Sequence, residues 1–317
     1  MKVMVFGASG AVGQPLVRML RARGDVVIGT TRVAGRGRSV LAKLGAEAVV
    51  CDALDAEAVC RVVTEHQPDA IVNQLTALGG PFNPRRYREW IAPTNRLRAE
   101  GTRNLVSAAR AAGTPRLVSQ SIAFAYRWEG TDLKTETDPL FDRDLGFGEA
   151  VQALQELERL TLETPELSGV VLRYGWFYGP GTGYGRDGGF AQMVHKRGYP
   201  IVGGGTGVFS FVHVEDAASA TLAALDASAG GVFNIVDDAP APMREWLPAY
   251  AAALGAPRPR RVPLWLARFA AARYVAESGV HQRGASNARA RRELGWEPRW
   301  PSWREGFALS LAAEAGG

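Results

Sequence analysis

The segment Gly7-Ala8-Ser9-Gly10-Ala11-Val12-Gly13 most restricts what this chain can become. It follows the apolar run 2–6 and precedes a stretch in which Val12, Leu16 and Leu20 share a helical stripe, with Arg18 and Arg21 facing away and Pro15 near the start. Between a strand and a helix, each glycine has a use. Gly7 lets the chain turn tightly, Gly10 lets backbone approach a pyrophosphate, and Gly13 lets the helix pack closely on the strand. The helix start adds free N–H groups and partial positive charge. The spacing therefore predicts a βαβ dinucleotide-binding unit, with Gly7, Ser9, Gly10, Ala11, Val12 and Gly13 against the phosphates.

Short β-branched runs continue to alternate with helical patterns, the mark of a parallel sheet covered on both faces. The expected strands are 2–6, 26–30, 48–51, 70–73, 116–121 and 170–173, with further strands at 208–214 and 232–236 and helices at 246–254 and 263–274. The fold class is α/β, a Rossmann-type doubly wound parallel sheet with a smaller C-terminal substrate lobe. Residues 1–173 form the dinucleotide-binding domain, strands from 208–236 complete its sheet, and 174–317 mainly build the lobe.

Composition narrows the class. A chain of 317 residues with 46% hydrophobic content can bury a large core. The 37 Lys and Arg against 32 Asp and Glu leave +5, scattered along the chain, which argues against a nucleic-acid partner. Cys51 and Cys60 stand in no metal-ligand or redox-pair spacing, and His213 reads as a satisfied buried histidine, so no metal is expected. No apolar run approaches the ~18 residues of a membrane span, and the start has no signal-peptide pattern. A cytoplasmic protein with a small-molecule substrate is the expectation.

An acidic residue about 20 positions after the glycine loop would accept from the adenosine ribose of NAD. The chain instead offers Thr30-Thr31-Arg32, then Arg36 and Arg38, and guanidinium groups suit a 2′-phosphate. NADP(H) is thus preferred and NAD(H) remains possible. Asp52 and Ala53 are placed near the adenine, while Gln74, Leu75, Thr76, Ala77 and Ser119 line the cofactor.

The glycine loop, Cys51-Asp52-Ala53-Leu54-Asp55, Leu117-Val118-Ser119-Gln120-Ser121, the run from Leu172 to Gly181 and Phe211-Val212-His213-Val214-Glu215-Asp216 together resemble the epimerase/dehydratase branch of the extended short-chain dehydrogenase/reductases. Arg291-Arg292-Glu293-Leu294-Gly295-Trp296 looks like the closing helix of that family. The resemblance implies a Ser that binds the substrate oxygen, matched by Ser121, and a Tyr-x-x-x-Lys pair. Where the pair belongs, the chain reads Phe147-Gly148-Glu149-Ala150-Val151, and neither Phe147 nor Val151 can move a proton or hold a ribose. Sugar-nucleotide enzymes of the family carry an Arg before the His-Val-x-Asp strand, where this chain has Val208-Phe209-Ser210-Phe211, so a nucleotide sugar is not expected. The resemblance also implies a homodimer through helices near 94–112 and 150–163.

The catalytic candidates are Ser121, polarising the substrate oxygen, and Tyr126, with water or Tyr126 supplying the proton. Tyr174, Trp176, Phe177, Tyr184 and Phe209 are the candidate substrate-binding residues, with 184–187 as a lid or a solvated loop, and Trp246, Trp265, Trp296, Trp300 and Trp303 either as an apolar pocket wall or, more often for such residues, as packing of the closing helices. The expected activity is an NADP(H)-dependent oxidoreductase acting on a small, non-nucleotide carbonyl or alcohol. The alternatives are a non-catalytic NADP(H)-binding sensor or scaffold, and a non-redox isomerase or cyclase that retains the cofactor.

Overall fold

Val3, Met4, Val5 and Phe6 are all fully buried, so successive side chains on both faces of the first strand are covered, as a parallel sheet requires. The computed structural model describes residues 1–78, 82–131, 133–228 and 230–315. The chain runs β1 (Lys2–Phe6), α1 (Gly13–Ala22), β2 (Val26–Thr31), α2 (Arg36–Lys43), β3 (Glu47–Val50), α3 (Ala56–His66) and β4 (Ala70–Asn73). A longer helical stretch follows: α4 (Tyr87–Arg96), a π-helical turn at Leu97–Gly101, and α5 (Thr102–Ala112). Next come β5 (Arg116–Ile122), β6 (Leu133–Lys134), α6 (Gly148–Leu162), β7 (Ser168–Tyr174) and β8 (Trp176–Tyr178). The remainder holds α7 (Gly189–His195), β9 (Ile201–Val202), β10 (Val208–Phe209), β11 (Phe211–His213), α8 (Val214–Asp226) and β12 (Gly231–Ile235). It closes with β13 (Ala241–Pro242), α9 (Met243–Ala253), β14 (Arg261–Val262), α10 (Leu264–Ala270), α11 (Arg273–His281), β15 (Gly284–Ala285), α12 (Ala288–Leu294) and α13 (Trp303–Ala315).

The central sheet has seven strands in the order β12-β7-β5-β4-β1-β2-β3, and each pairing within it is parallel. One face packs on α1 and α8 through Leu16, Leu20 and Ala217; the other packs on α3 and α5 through Val59, Val63 and Leu105. The order reverses between β1 and β4, and at such a switch point the carboxyl ends of the strands leave a crevice for ligand.

Two expectations need correction. The run 208–214 does not join the central sheet: it changes partners at Ser210, with β10 antiparallel to β13 and β11 parallel to β8. The cause is a close crossing, where Trp176 N donates to Ser210 O at 2.8 Å and a Cβ at Gly175 would lie 2.6 Å from that oxygen. The helix expected at 263–274 is two, α10 and α11, because Ala271 and Ala272 are extended between them. His213 ends β11 and accepts from Glu215 N at 3.2 Å, capping α8, and burial lowers its pKa to about 4. The lobe is an aromatic core around Trp246, Tyr250, Trp303 and Phe307.

Candidate active site

The crevice at the switch point deepens into a cavity of about 1130 Å³ that continues from the glycine loop into the lobe. Gly7, Gly10, Ala11, Val12 and Gly13 form one end of its wall, joined by Arg32, Gln74, Thr76 and Ala77. The loop backbone is drawn tight. Gly7 has φ +85°, and a Cβ there would meet Gln74 O at 2.6 Å; at Gly13 a Cβ would come within 2.3 Å of Gly7 O. Gly10 is different, since its Cβ would meet only Gly7 O, at 3.2 Å, and otherwise project into open space. Bare backbone therefore faces the cavity at a helix start, which fits a dinucleotide pyrophosphate.

Other residues expected at the cofactor lie outside the cavity wall. Ser9, Thr31, Arg36, Asp52, Ala53 and Leu75 are not among its lining residues. The Thr31 hydroxyl donates to Val33 O at 3.3 Å beneath Gly37, and an Asp52 carboxylate oxygen accepts from Leu54 N at 3.0 Å. Arg36 is exposed at the start of α2.

Strand parity decides what β5 offers. Gln120 and Ile122 face the cavity, so Ser119 and Ser121 face the opposite side. Ser119 Oγ accepts from Thr161 Oγ1 at 2.9 Å, and Ser121 Oγ donates to a Glu158 carboxylate oxygen at 2.7 Å, both against α6. Tyr126 is likewise withdrawn, 2% exposed, donating to Asn234 Oδ1 at 2.6 Å and accepting from Arg173 at 2.9 Å. Burial pushes its hydroxyl up to about 12. Ser121 and Tyr126, expected as catalytic groups, thus sit in a buried polar network behind the cavity wall.

Of the substrate candidates, Trp176, Phe177, Tyr184 and Phe209 line the cavity and Tyr174 does not. Tyr174 is fully buried toward α8, bonded to Thr221 Oγ1 at 2.7 Å and to Gln74 Nε2 at 3.2 Å. Trp176 stacks on Phe124 with centroids 4.1 Å apart, and the Tyr184 and Tyr199 hydroxyls pair at 3.0 Å. The late tryptophans do not line the cavity: Trp246 and Trp303 are core, and Trp265 is 63% exposed. At the Tyr-x-x-x-Lys position, Phe147 stacks on Tyr274 at 3.9 Å and Val151 is buried beside it. Sequence reasoning missed Tyr87, Trp90, Arg98, Phe124, Tyr199 and Tyr274 in the wall.

The chemistry available follows from that wall. Among the described residues lining it there is no carboxylate and no imidazole. Burial lifts its phenols above their ordinary range: Tyr199 to about 12, and Tyr87, Tyr184 and Tyr274 further still. At neutral pH these phenols stay protonated, and none has the lowered pKa that suits a general acid–base group there. Among the described residues, no group of His, Cys, Asp and Glu could hold a metal ion, and no helix is long and apolar enough to cross a membrane.

The profile of the NAD dependent epimerase/dehydratase family matches residues 3–236. The chain belongs to that family. Within it, the chain is 48% identical over 313 residues to a Streptomyces protein named 3-diazoavenalumate denitrifying reductase, covering 97% of this chain and 99% of that one. It is 27% identical over 267 residues to a 2-alkyl-3-oxoalkanoate reductase of Stenotrophomonas maltophilia, covering 81% and 77%. The UDP-glucose 4-epimerase of Thermus thermophilus, solved with NAD, superposes over the full length of both chains with a TM-score of 0.77 at 25% identity. A nicotinamide dinucleotide is accordingly the family's cofactor, and the loop Gly7–Gly13 lines one end of the cavity.

Proposed function

We propose that the chain is an NADP(H)-dependent reductase that exchanges the diazo group of a small aromatic substrate for hydrogen. The observation that carries this reading is an aromatic cavity whose described lining offers no carboxylate, no imidazole and no phenol with a lowered pKa. Carbonyl reduction leaves an alkoxide that must be protonated, and general acid catalysis typically contributes about 100-fold to 10,000-fold. Bound reduced dinucleotide supplies hydride, and an aryl diazonium that gains hydride yields Ar–H and dinitrogen with no proton taken up. The lost Tyr and Lys are then dispensable. The name of the Streptomyces relative, a denitrifying reductase of a diazo compound, supports the same chemistry.

In this reading the chain's residues position and exclude. Gly7, Gly10 and Gly13 give the pyrophosphate its backbone cradle, and Gln120 and Ile122 carry β5 to the reacting end. The stacked Phe124 and Trp176, with Tyr184, Phe190 and Phe209, hold a flat apolar ring and keep water away. Incubating the protein with an aryl diazonium salt and 4-deuterated NADPH should release dinitrogen above the protein-free rate. One deuterium should appear at the vacated carbon, and none should enter from D2O with ordinary NADPH. Faster turnover of an aryl ketone than of the diazonium would instead return the assignment to a carbonyl reductase.

The preference for NADP(H) rests on Arg32, an exposed cation at the cavity edge after β2, with Arg36 and Arg38 following. A charge-assisted bond to a 2′-phosphate predicts that Arg32→Ala weakens NADPH binding by roughly 10-fold to 100-fold. NADH binding should change by less than about threefold, because it carries no such phosphate. Titration by nicotinamide fluorescence checks both, and equal losses for the two cofactors would count against the preference.

A further inference from the structure

Arg98 lies in the π-helical turn Leu97–Gly101, between α4 and α5. Such turns occur inside longer helices, often at functional sites, because the extra residue redirects side chains from the regular stripe. Here the turn puts Arg98 into the cavity wall with Tyr87, Trp90 and Ile91. The side chain is 6% exposed, and its one described hydrogen bond is a long 3.4 Å contact from a guanidinium nitrogen to Asn95 Oδ1.

Arg173 shows how this protein treats a buried guanidinium when the cation is structural: Glu158 meets it through both carboxylate oxygens, at 2.8 and 2.6 Å. Among the described residues Arg98 has no such carboxylate, and its electrostatic neighbour is the neutral phenol of Tyr87. Burial pushes the guanidinium down to about 10, so it keeps its charge at neutral pH. A buried cation without a counter-charge is costly unless a ligand supplies one. The glycine loop and Arg32 already provide donors for the dinucleotide's phosphates. The negative group missing beside Arg98 thus belongs to the second ligand, whose flat apolar body the aromatic wall accommodates.

We propose that Arg98 is the specificity-determining residue that binds the carboxylate of an aromatic carboxylic acid substrate. This rests on the reading of the cavity as a substrate site and deepens it by naming the acid class. A planar carboxylate can take two parallel N–H bonds from one guanidinium, whereas an amide or ester of the same shape leaves the charge uncompensated.

The test uses the whole protein saturated with NADP+ and two probes of equal shape, cinnamate and cinnamamide, followed by calorimetry. Cinnamate should bind and cinnamamide should bind at least about 30-fold more weakly, as a charge-assisted bidentate pair implies. Arg98→Gln should weaken cinnamate by a similar factor while changing the NADP+ Kd less than threefold, and Arg98→Lys should recover part of the loss. A melting curve reports that each variant is folded, and if Arg98→Gln is not, Arg98→Lys carries the comparison. Equal binding of the two probes, binding of neither, or an Arg98→Gln variant that loses NADP+ and keeps cinnamate overturns the proposal. Because neither probe carries nitrogen to be expelled as dinitrogen, acid-selective binding without diazonium turnover would uphold this inference and defeat the diazo reading alone.

Discussion

Replacing Arg173 with methionine is expected to destabilise the fold by about 3–5 kcal/mol and to lower the melting temperature by roughly 10 °C. Arg173 and Glu158 are nearly buried, with side-chain exposures of 7% and 10%. The guanidinium satisfies both Glu158 oxygens and the Tyr126 hydroxyl, while Ser121 donates to the same carboxylate. Methionine fills much of the volume but leaves an ionised carboxylate facing Ser121 alone. The double variant Arg173→Met with Glu158→Leu should recover most of the loss, because exchanging a buried ion pair for apolar groups is often close to neutral. Denaturant unfolding of the two single variants and the double gives the coupling energy. A loss under about 1 kcal/mol in Arg173→Met would mean that water reaches the pair, contrary to its burial.

That network also shows where sequence stopped being sufficient. The glycine loop, the alternation of strands with helices and the family resemblance were legible because each is a local pattern with a fixed geometric meaning. Ser121 was legible as a position on β5, yet the side of the sheet it faces depends on which neighbour is paired with α6. A residue-by-residue match to Tyr-x-x-x-Lys could report that Phe147 and Val151 break the motif. It could not report that Glu158, farther along α6, occupies Ser121 from behind. The cavity face of β5 went instead to Gln120 and Ile122, one residue to either side of Ser121.

Arg98 was hidden for a different reason. In sequence it is one arginine among Arg96, Arg98 and Arg103 in an ordinary helical stretch, and such runs usually mark a solvated face. Arg96 and Arg103 do pair with Glu100 and Glu156 at the surface. Only the π-helical turn sends the intervening arginine inward, and no residue pattern announced that turn. The lobe was opaque for the same kind of reason, since Trp246 and Trp303 packed into a core of their own while Tyr87 and Tyr274, far apart in sequence, met in the cavity wall with ring centroids 6.1 Å apart.

The glycines of the cradle separate binding from folding in a second expected result. Gly10→Ala should lose far less stability than Gly13→Val, because its Cβ meets only Gly7 O, at a tight 3.2 Å that a shift of a few tenths of an ångström relieves, and otherwise points into open space. That open space is where the resemblance places the pyrophosphate, so the added methyl should weaken NADPH binding by about 100-fold or more, a cost of at least ~2.7 kcal/mol. Gly13→Val should lose both properties. Its Cβ would sit 2.3 Å from Gly7 O and 2.6 Å from Ala8 O, fixed backbone atoms that can retreat only if the loop opens or α1 shifts from β1. Overpacking of this kind typically costs about 1–3 kcal/mol, and the displaced N–H groups would no longer converge on a phosphate. Thermal unfolding with and without NADPH measures both effects: the cofactor should raise the melting temperature of the wild type and leave that of Gly10→Ala nearly unchanged. If Gly10→Ala retained the full NADPH-induced shift, the phosphates would have to sit elsewhere, and the cofactor's placement along the cavity would need to be redrawn.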